Sequence, residues 1–521
     1  MKIWMISREY AGIAEAGGVK NVVCSLSEEL SASGNSITLF IPEYGCTDFS
    51  KISCLDNFSE GPFKIIVGDK TTDVSFAFGK CGDINVIFVK SEWYKEKNNV
   101  YTYCQKDLEN NSLKNNPCAK IGNGYADAMY LDVLFQKAVC VFAKNIKSAP
   151  DVIHCHDACT ALLPAFAKVL YPENFKQTKF VISIHNAGPA YHHEFENLEQ
   201  ARLFTELPIE VLKNGLNGKR VEPYVVSSDY AKLSTVSYDY ADELLDPKNK
   251  NTDGLSKIFS SKNIPIDGIT NGIDISRYSP EHKEISLLPF EFSPEKKQLE
   301  GKYLCRQYLI SNYAKKSDNC ISIGGEKIRK AGFLLPDEDG AVYISFHGRL
   351  VHQKGIPLII NLFDKIFSKF DNVRFIINGQ GDPVLQEELF KKAEEYPGKI
   401  LYLCGYEKSL ARLCTAAGDF ALFPSEFEPC GLEDFIAQIY GTIPVAHATG
   451  GLKKIINEKT GFTYSPNKVS AIFNILSKLI KNKIKDSHFY DELISFAACY
   501  VKNNYTWKIV ANTKYVPLYE S

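Results

Sequence analysis

Apolar residues in this chain fall into short unbroken runs, and each run is followed by residues at helical spacing. In the first half the runs are IWMIS (3–7), SITLFIP (36–42), INVIFV (84–89), DVIHCH (151–156), FVISIH (180–185) and KLSTVS (232–237). Between them lie NVVCSLSEELSASG and LDVLFQKAVCVFAKNI, where apolar positions recur every three or four residues. Runs that do not alternate with polar residues suit strands covered on both faces, so the pattern predicts mostly parallel sheets sandwiched by helices. The second half repeats the scheme with VYISFHG (342–348), VRFIING (373–379), KILYLCG (399–405), FALFP (420–424) and IPVAHA (443–448). Its helices are LIINLFDKIFSKF and PVLQEELFKKAEEY. A polar region with few strand signals, 279–340, separates the halves, and within it the lysine-rich stretch 311–331 reads as a surface loop. The expectation is an α/β protein of two doubly wound domains with an intervening cleft, ligands binding beyond the carboxyl ends of the strands.

Composition narrows the partners. The chain has 521 residues, more than one core usually covers, and is 45% hydrophobic and 23% charged. A net charge of −2 removes bulk attraction to nucleic acid or an anionic membrane. No apolar run reaches the roughly 20 residues of a membrane span. The opening MKIWMISREY meets Arg8 and Glu9 too early for a signal peptide and reads as a first strand. Fifteen cysteines, an odd number without a CxxC pair, point to free and mostly buried thiols in a reducing cytoplasm.

Candidate chemistry gathers at strand ends. In SFHGRLVHQKGIP (345–357) a buried strand stops at a glycine and is followed by Arg349 and Lys354. A guanidinium fork and a mobile ammonium suit a diphosphate, although two surface cations on a solvated turn would give the same spacing. HATGGLKKII (447–456) has a strand ending in Thr449-Gly450-Gly451 before an apparent helix start, where N–H groups and the dipole favour anions. EAGGVKNVV (15–23) is a similar junction in the first half, with Glu15, Gly17, Gly18 and Asn21. SEFEPCGLEDF (425–435) brings Glu426, Glu428 and Glu433 near a strand end, either to hold sugar hydroxyls or as a solvated acidic loop.

Three segments imitate metal sites. DVIHCHDACTALL lacks the ligand spacing of common zinc sites. AYHHEF (190–195) is a second imitation, and PDEDG (336–340) has the acidic spacing of a metal-holding turn but ordinary turn chemistry. No metal is expected. A P-loop, GxGxxG, HExxH and GxSxG are all absent from the sequence, which removes support from kinase, dehydrogenase, zinc protease and serine hydrolase readings.

Read together, EAGGVKNVV, HCHDACTALL, ISIHNAG, LSTVSYDYADEL, GITNGID, GRLVHQKG, NGQGDP, CGYEKSLA, FPSEFEPCGLEDFIAQIYGTIPV, ATGGL and TGFTY resemble the bacterial glycogen synthase and plant starch synthase family of retaining glycosyltransferases. The resemblance runs nearly end to end and includes the closing YTWKIVANTKYVPLY, similar to the family's final helix, which crosses back to the first domain. It implies a GT-B fold of two Rossmann-like domains facing a deep cleft: an acceptor-side domain over 1–268, a donor domain over 269–502, and a returning helix over 503–521. It implies transfer of glucose from ADP-glucose to the non-reducing end of an α-1,4-glucan, with retention and without a metal or other cofactor. The partners are then a nucleotide-sugar donor and an α-glucan acceptor, with neither nucleic acid nor membrane. UDP-glucose or another acceptor is the nearest alternative, and a glucan- or nucleotide-binding protein without turnover is the other.

Carried over, Arg349 and Lys354 neutralise the diphosphate, and Thr449, Gly450, Gly451, Gly17 and Gly18 offer it backbone donors. Glu428, with Cys430, Gly431 and Leu432, holds hydroxyls of the transferred glucose. His185, with Asn186, approaches that glucose beside Asp157; Asn271 sits near the hinge; Tyr406 stacks on the nucleobase. The chain departs from the family where Glu15 and Asn21 replace a lysine and an aspartate. One such charge interaction at about 4 Å and an effective dielectric near 20 is worth about 4 kcal/mol, so compensation by Lys20 or Arg8 is the question the departure raises. HDAC, HNAGPAY and Glu426 are milder differences on the acceptor side and at the cleft mouth.

Overall fold

The unbroken apolar runs become the central strands of two separate sheets. A computed structural model describes residues 1–109, 116–316, 319–335 and 340–521. The chain divides into two compact units, Met1–Gly272 with Trp507–Ser521, and Ile273–Thr506.

In the first unit the strands are β1 Lys2–Ile6, β2 Ser36–Pro42, β3 Ser53–Asn57, β4 Phe63–Val67, β5 Lys70–Cys81, β6 Ile84–Lys90, β7 Val152–His156, β8 Lys179–Ile184, β9 Leu216–Asn217, β10 Arg220–Val221, β11 Lys232–Thr235 and β12 Ile266–Gly268. The main sheet runs β12-β11-β8-β7-β1-β2-β6-β5-β3, with β4 paired to β5. From β12 to β6 all neighbours are parallel; β5 then returns antiparallel. Strand order reverses at β1, with β2 on one side and β7 on the other, so the loops after β1 and β7 open at a topological switch point. The helix Val19–Ala32 starts at the end of the first of these loops, with Gly18 at its N-cap.

The first unit keeps the chain to Gly272 rather than 268. Past β12, Ile269 and Asn271 still donate to the carbonyls of Thr235 and Val236, which ties the strand exit to this sheet. The closing segment joins this unit from Trp507 rather than 503. It is helical through Glu520, and Tyr519 Oη lies 2.7 Å from His154 Nδ1.

The second unit has β13 Cys320–Ile323, β14 Glu326–Gly332, β15 Val342–His347, β16 Val373–Asn378, β17 Ile400–Cys404, β18 Phe420–Phe423, β19 Ile443–His447 and β20 Phe462–Tyr464. Their order is β13-β14-β17-β16-β15-β18-β19-β20, parallel from β17 to β20. Successive residues of β15 feed opposite cores: Val342, Ile344 and Phe346 pack with Phe363, Phe375 and Tyr402, while Tyr343 packs with Ile376, Leu401 and Phe435. Burial on both faces is why the sequence shows runs instead of alternation. The switch point here is β15, flanked by β16 and β18.

The expected loop over 311–331 is instead the end of a helix, Glu300–Tyr313, followed by the antiparallel pair β13 and β14. Ile321 and Ile328 turn inward and the Lys330 side chain is buried too, its ammonium bonded to the carbonyl of Lys315. One buried face on an edge hairpin gives a two-residue period that the surrounding lysines hide. The strands β3 to β5 escaped the sequence reading for a related reason: β3 is exposed at every position, so it carries no apolar run.

Candidate active site

At the end of β15 the chain passes Gly348 and reaches Arg349, exposed and without a side-chain hydrogen bond or ion pair among the described residues. A short 3-10 turn, His352–Lys354, then leads through Gly355 into the helix Ile356–Phe367. Gly355 has φ +73°, and a Cβ there would lie 2.0 Å from the carbonyl oxygen of Pro424, so the loops after β15 and β18 touch at a position only glycine fills. That contact brings Lys354 onto Glu428, and the two form an ion pair. Glu428 also accepts from Ser425 Oγ at 3.1 Å. Gln353 fastens the same two loops, donating to the carbonyl of Phe427 at 2.9 Å while its own carbonyl accepts from the Glu426 amide at 2.8 Å.

The segment 449–454 is a five-residue 3-10 turn, Gly450–Lys454, rather than the start of an α-helix, so it offers no helix dipole. Its amides are already used in part: Thr449 N–H bonds to His447 O and Gly451 N–H to Glu428 O, both at 2.8 Å, and Leu452 N–H to Thr449 O at 3.0 Å. The expected phosphate donors Thr449 and Gly451 are therefore already bonded, Gly451 to the Glu428 loop and Thr449 within its own segment. Gly451 is fixed by packing, since a Cβ there would fall 2.1 Å from Cys430 O. Lys454 completes the clasp. Its ammonium bonds to the carbonyls of Cys430 (2.7 Å), Gly431 (2.8 Å) and Gly451 (3.0 Å) and pairs with Asp434 at 2.9 Å. Burial pushes the Asp434 carboxyl up to about 6, against the pull of Lys454. Leu432, partly buried, packs on the core beneath. A lysine in an apparent first turn was the one sequence sign of this staple.

Tyr406 follows β17 and is 59% exposed, its ring stacked over His347 with centroids 6.2 Å apart and planes at 29°. His347 is in turn fixed by Asn378 at 2.9 Å. An exposed, pre-oriented aromatic face next to the Arg349 loop is the geometry a planar heterocycle needs.

In the first unit, the loop after β1 is organised by a residue the sequence reading passed over, Glu9. Its buried carboxylate accepts from Gly17 N at 2.5 Å and Ala16 N at 3.1 Å. The Gly17 amide expected to face phosphate is thus taken by a carboxylate of the chain, whereas Gly18 N–H has no acceptor among the described residues. Burial raises the Glu9 carboxyl above the ordinary range, and these amides work the other way. Glu15 pairs with Lys20 at 2.6 Å and accepts from Gly12 N at 2.6 Å. Partial burial works upward on Glu15, but Lys20 and Gly12 outweigh it and hold its carboxyl below the usual range. Arg8 gives no compensation: it is buried and bonded to Asp132, Tyr44 and the Val100 carbonyl. Asn21 is exposed on the first turn, its amide bonded to Gly18 O.

The loop after β7 carries Asp157 in the left-handed region (φ +64°). Its carboxylate accepts from the backbone N–H of His185 at 2.7 Å and of Asn186 at 3.4 Å, and from Tyr224 Oη at 3.4 Å. Asp157 is thereby a brace for the loop after β8, and it stores local strain to be so. Asn186 caps the same loop through Gly188 N at 2.8 Å. The His185 ring meets His156, Nε2 to Nδ1, at 3.0 Å. Burial holds the His185 imidazole below its ordinary range, with Asp157 pulling the other way. Asn271 is buried, and its Oδ1 has no hydrogen-bond partner among the described residues.

The imitations of metal sites resolve differently. His154 and His156 stack side by side on one face of β7, with ring centroids 4.2 Å apart. AYHHEF does gather a cluster, because His192 and Glu194 meet Glu222 with ligand atoms within 4.8 Å. Its charges already pair: His192 with Glu222 at 3.3 Å, and Arg220 with Glu194 at 2.9 Å. Of PDEDG, residues 336–339 lie outside the described residues.

Comparison with known proteins gives concordant results. Residues 2–261 match the starch synthase catalytic domain and residues 332–493 match glycosyl transferases group 1. A glycogen synthase of Thermodesulfovibrio yellowstonii is 29% identical over 542 aligned positions, covering 100% of this chain and 97% of that protein. One from Elusimicrobium minutum is 28% identical over 478 positions, covering 89% and 87%. Among solved structures, the catalytic domain of starch synthase IV from Arabidopsis thaliana, bound to ADP and acarbose, superposes with a TM-score of 0.78 at 22% identity, covering 100% of this chain and 98% of that one.

Proposed function

Because the chain belongs to the starch and glycogen synthase family of GT-B glycosyltransferases, we propose that it elongates an α-1,4-glucan, moving glucose from ADP-glucose to the non-reducing end with retention of the α configuration. The observation that carries this reading is the Arg349 loop: an exposed guanidinium with no side-chain partner among the described residues, on the same loop as Lys354 of the Lys354–Glu428 pair, at the switch point of the second sheet. A diphosphate entering there meets Arg349 directly and competes with Glu428 for Lys354. Releasing Glu428 frees a carboxylate to accept from hydroxyls of the donor glucose, so the resting ion pair holds both groups in place for the substrate.

As the bond from the anomeric carbon to the diphosphate breaks, negative charge grows on the leaving phosphate and positive charge on the sugar. Arg349 and Lys354 answer the first. The incoming glucan hydroxyl loses its proton to the departing phosphate on the same face, so no separate nucleophile and acid are required. His185, its backbone N–H held by Asp157, is the residue we assign to the transferred glucose. Tyr406 stacks on the base. Arg349 and Lys354 supply the neutralisation, and no metal is assigned a part. The pairing of Glu15 with Lys20 speaks against a chain disabled by its charge reversal. Fifteen cysteines without a disulfide among the described residues support a reducing cytoplasm, and no helix among the described residues is long and apolar enough to cross a membrane.

Incorporation of labelled glucose into glycogen by the purified protein, with ADP-glucose and UDP-glucose in parallel, tests the proposal. Transfer from ADP-glucose supports it. Transfer from UDP-glucose alone replaces the donor, and donor hydrolysis without glucan growth replaces the acceptor.

A further inference from the structure

Behind the loop that carries His185, three histidines form a buried file. His154 and His156 stand two apart on β7, and His185 follows β8, whose Ser183 is in register with His156. The rings of His156 and His185 have centroids 5.3 Å apart and share one hydrogen bond, Nδ1 to Nε2, at 3.0 Å. At the far end, His154 meets Tyr519 Oη at 2.7 Å and Ser183 Oγ at 2.8 Å. Both of its partners are hydroxyls, which donate or accept as needed, so either tautomer of His154 is satisfied.

His156 has no such latitude. Its Nε2 is buried and has no hydrogen-bond partner among the described residues. Burial first, then the neighbouring His154 and His185, hold this imidazole well below its ordinary range, so the shared hydrogen bond joins neutral rings. Two arrangements are then open. If His185 donates from Nε2, His156 must carry its own proton on Nε2, a polar N–H buried with no acceptor. If His156 donates from Nδ1, its Nε2 is a bare nitrogen that leaves no donor stranded. Orphaned buried donors are the rarer defect in folded proteins.

We propose that His156 is a positioning residue, donating its Nδ1–H to Nε2 of His185 and so fixing His185 as the tautomer that carries its proton on Nδ1. Nδ1 is the one ring nitrogen of His185 without a protein partner among the described residues, so it is the atom left to meet the sugar. A neutral N–H there grips a hydroxyl without placing positive charge beside a developing cation at the anomeric carbon. The inference rests on the reading of His185 as the residue that faces the transferred glucose.

The test combines nitrogen NMR of histidine-labelled protein with kinetics. In the wild type, His185 is expected to show a protonated Nδ1 and a bare Nε2, a result independent of turnover. His156→Phe keeps a ring but no donor, and is expected to lower kcat roughly tenfold or more with the donor KM within about twofold. His156→Asn, which retains an amide donor, is expected to recover part of that loss. A wild-type His185 protonated on Nε2 overturns the proposal, and so does full kcat in a folded His156→Phe protein. If the wild type transfers no glucose from any nucleotide-glucose, the functional reading fails, while the tautomer still decides the part played by His156.

Discussion

Glu15 and Lys20 stand 2.6 Å apart at the entry to the helix Val19–Ala32, so the position read as a departure from the resembled family presents a neutral pair. Both are partly solvated, with side-chain exposures of 47% and 22%, and such a pair adds only about 0.5 kcal/mol to folding. Its consequence is electrostatic. If Glu15 belongs to the donor site as the resemblance implies, Lys20→Ala should leave the melting temperature nearly unchanged and raise the donor KM about fivefold or more, because the Glu15 charge is then uncompensated. Lys20→Ala with Glu15→Ala should return most of the loss. Donor KM values for the two single variants and the double variant check this; a double variant as poor as Lys20→Ala would mean that Lys20 itself grips the donor.

Tyr406, proposed to receive the nucleobase, has an exposed ring already stacked on His347. Stacking of a base on an aromatic side chain is worth about 1–3 kcal/mol. Tyr406→Ala is therefore expected to weaken ADP binding roughly tenfold while leaving the glucan KM alone, as titration calorimetry and acceptor kinetics would show. Tyr406→Phe should bind ADP like the wild type.

Asp434, buried against Lys454, gives the second unit a pH signature. Its folded-state pKa of about 6 lies above the ordinary value of 3.8, chiefly through burial. The folded state binds this proton more tightly than the unfolded chain does, so the contribution is fully present below about pH 4 and is lost as pH rises through 6. Asp434→Asn cannot titrate. Relative to that variant, the wild type should lose stability between pH 4 and pH 7, by on the order of 3 kcal/mol at most. Denaturant unfolding at several pH values measures the difference, and a pH-independent gap would contradict it.

The strands that carry the site were legible because both faces of each parallel strand are buried, which writes an unbroken apolar run into the sequence. Arg349 and Lys354 followed from the end of such a run, whereas His185, just past β8, was singled out only through the family resemblance. Hydrogen-bond accounting was not legible. That Glu9 takes the Gly17 amide, or that Glu428 O takes the Gly451 amide, depends on where two loops meet in space. A Gly-Gly pair reads the same whether its amides face a phosphate or a carboxylate of the chain. The β13–β14 hairpin was missed because one of its four inward residues is a lysine, Lys330, so the apolar alternation is broken.

Arg349 is the group on which the account depends most, being exposed and without a side-chain partner among the described residues. The decisive measurement is glucose transfer from ADP-glucose to glycogen by the wild type and by Arg349→Ala, with melting temperatures taken beside it. The expected result is equal melting temperatures and a fall in kcat/KM on the order of a hundredfold or more. A folded Arg349→Ala protein that elongates glycogen at the wild-type rate would contradict the assignment of the diphosphate to this loop.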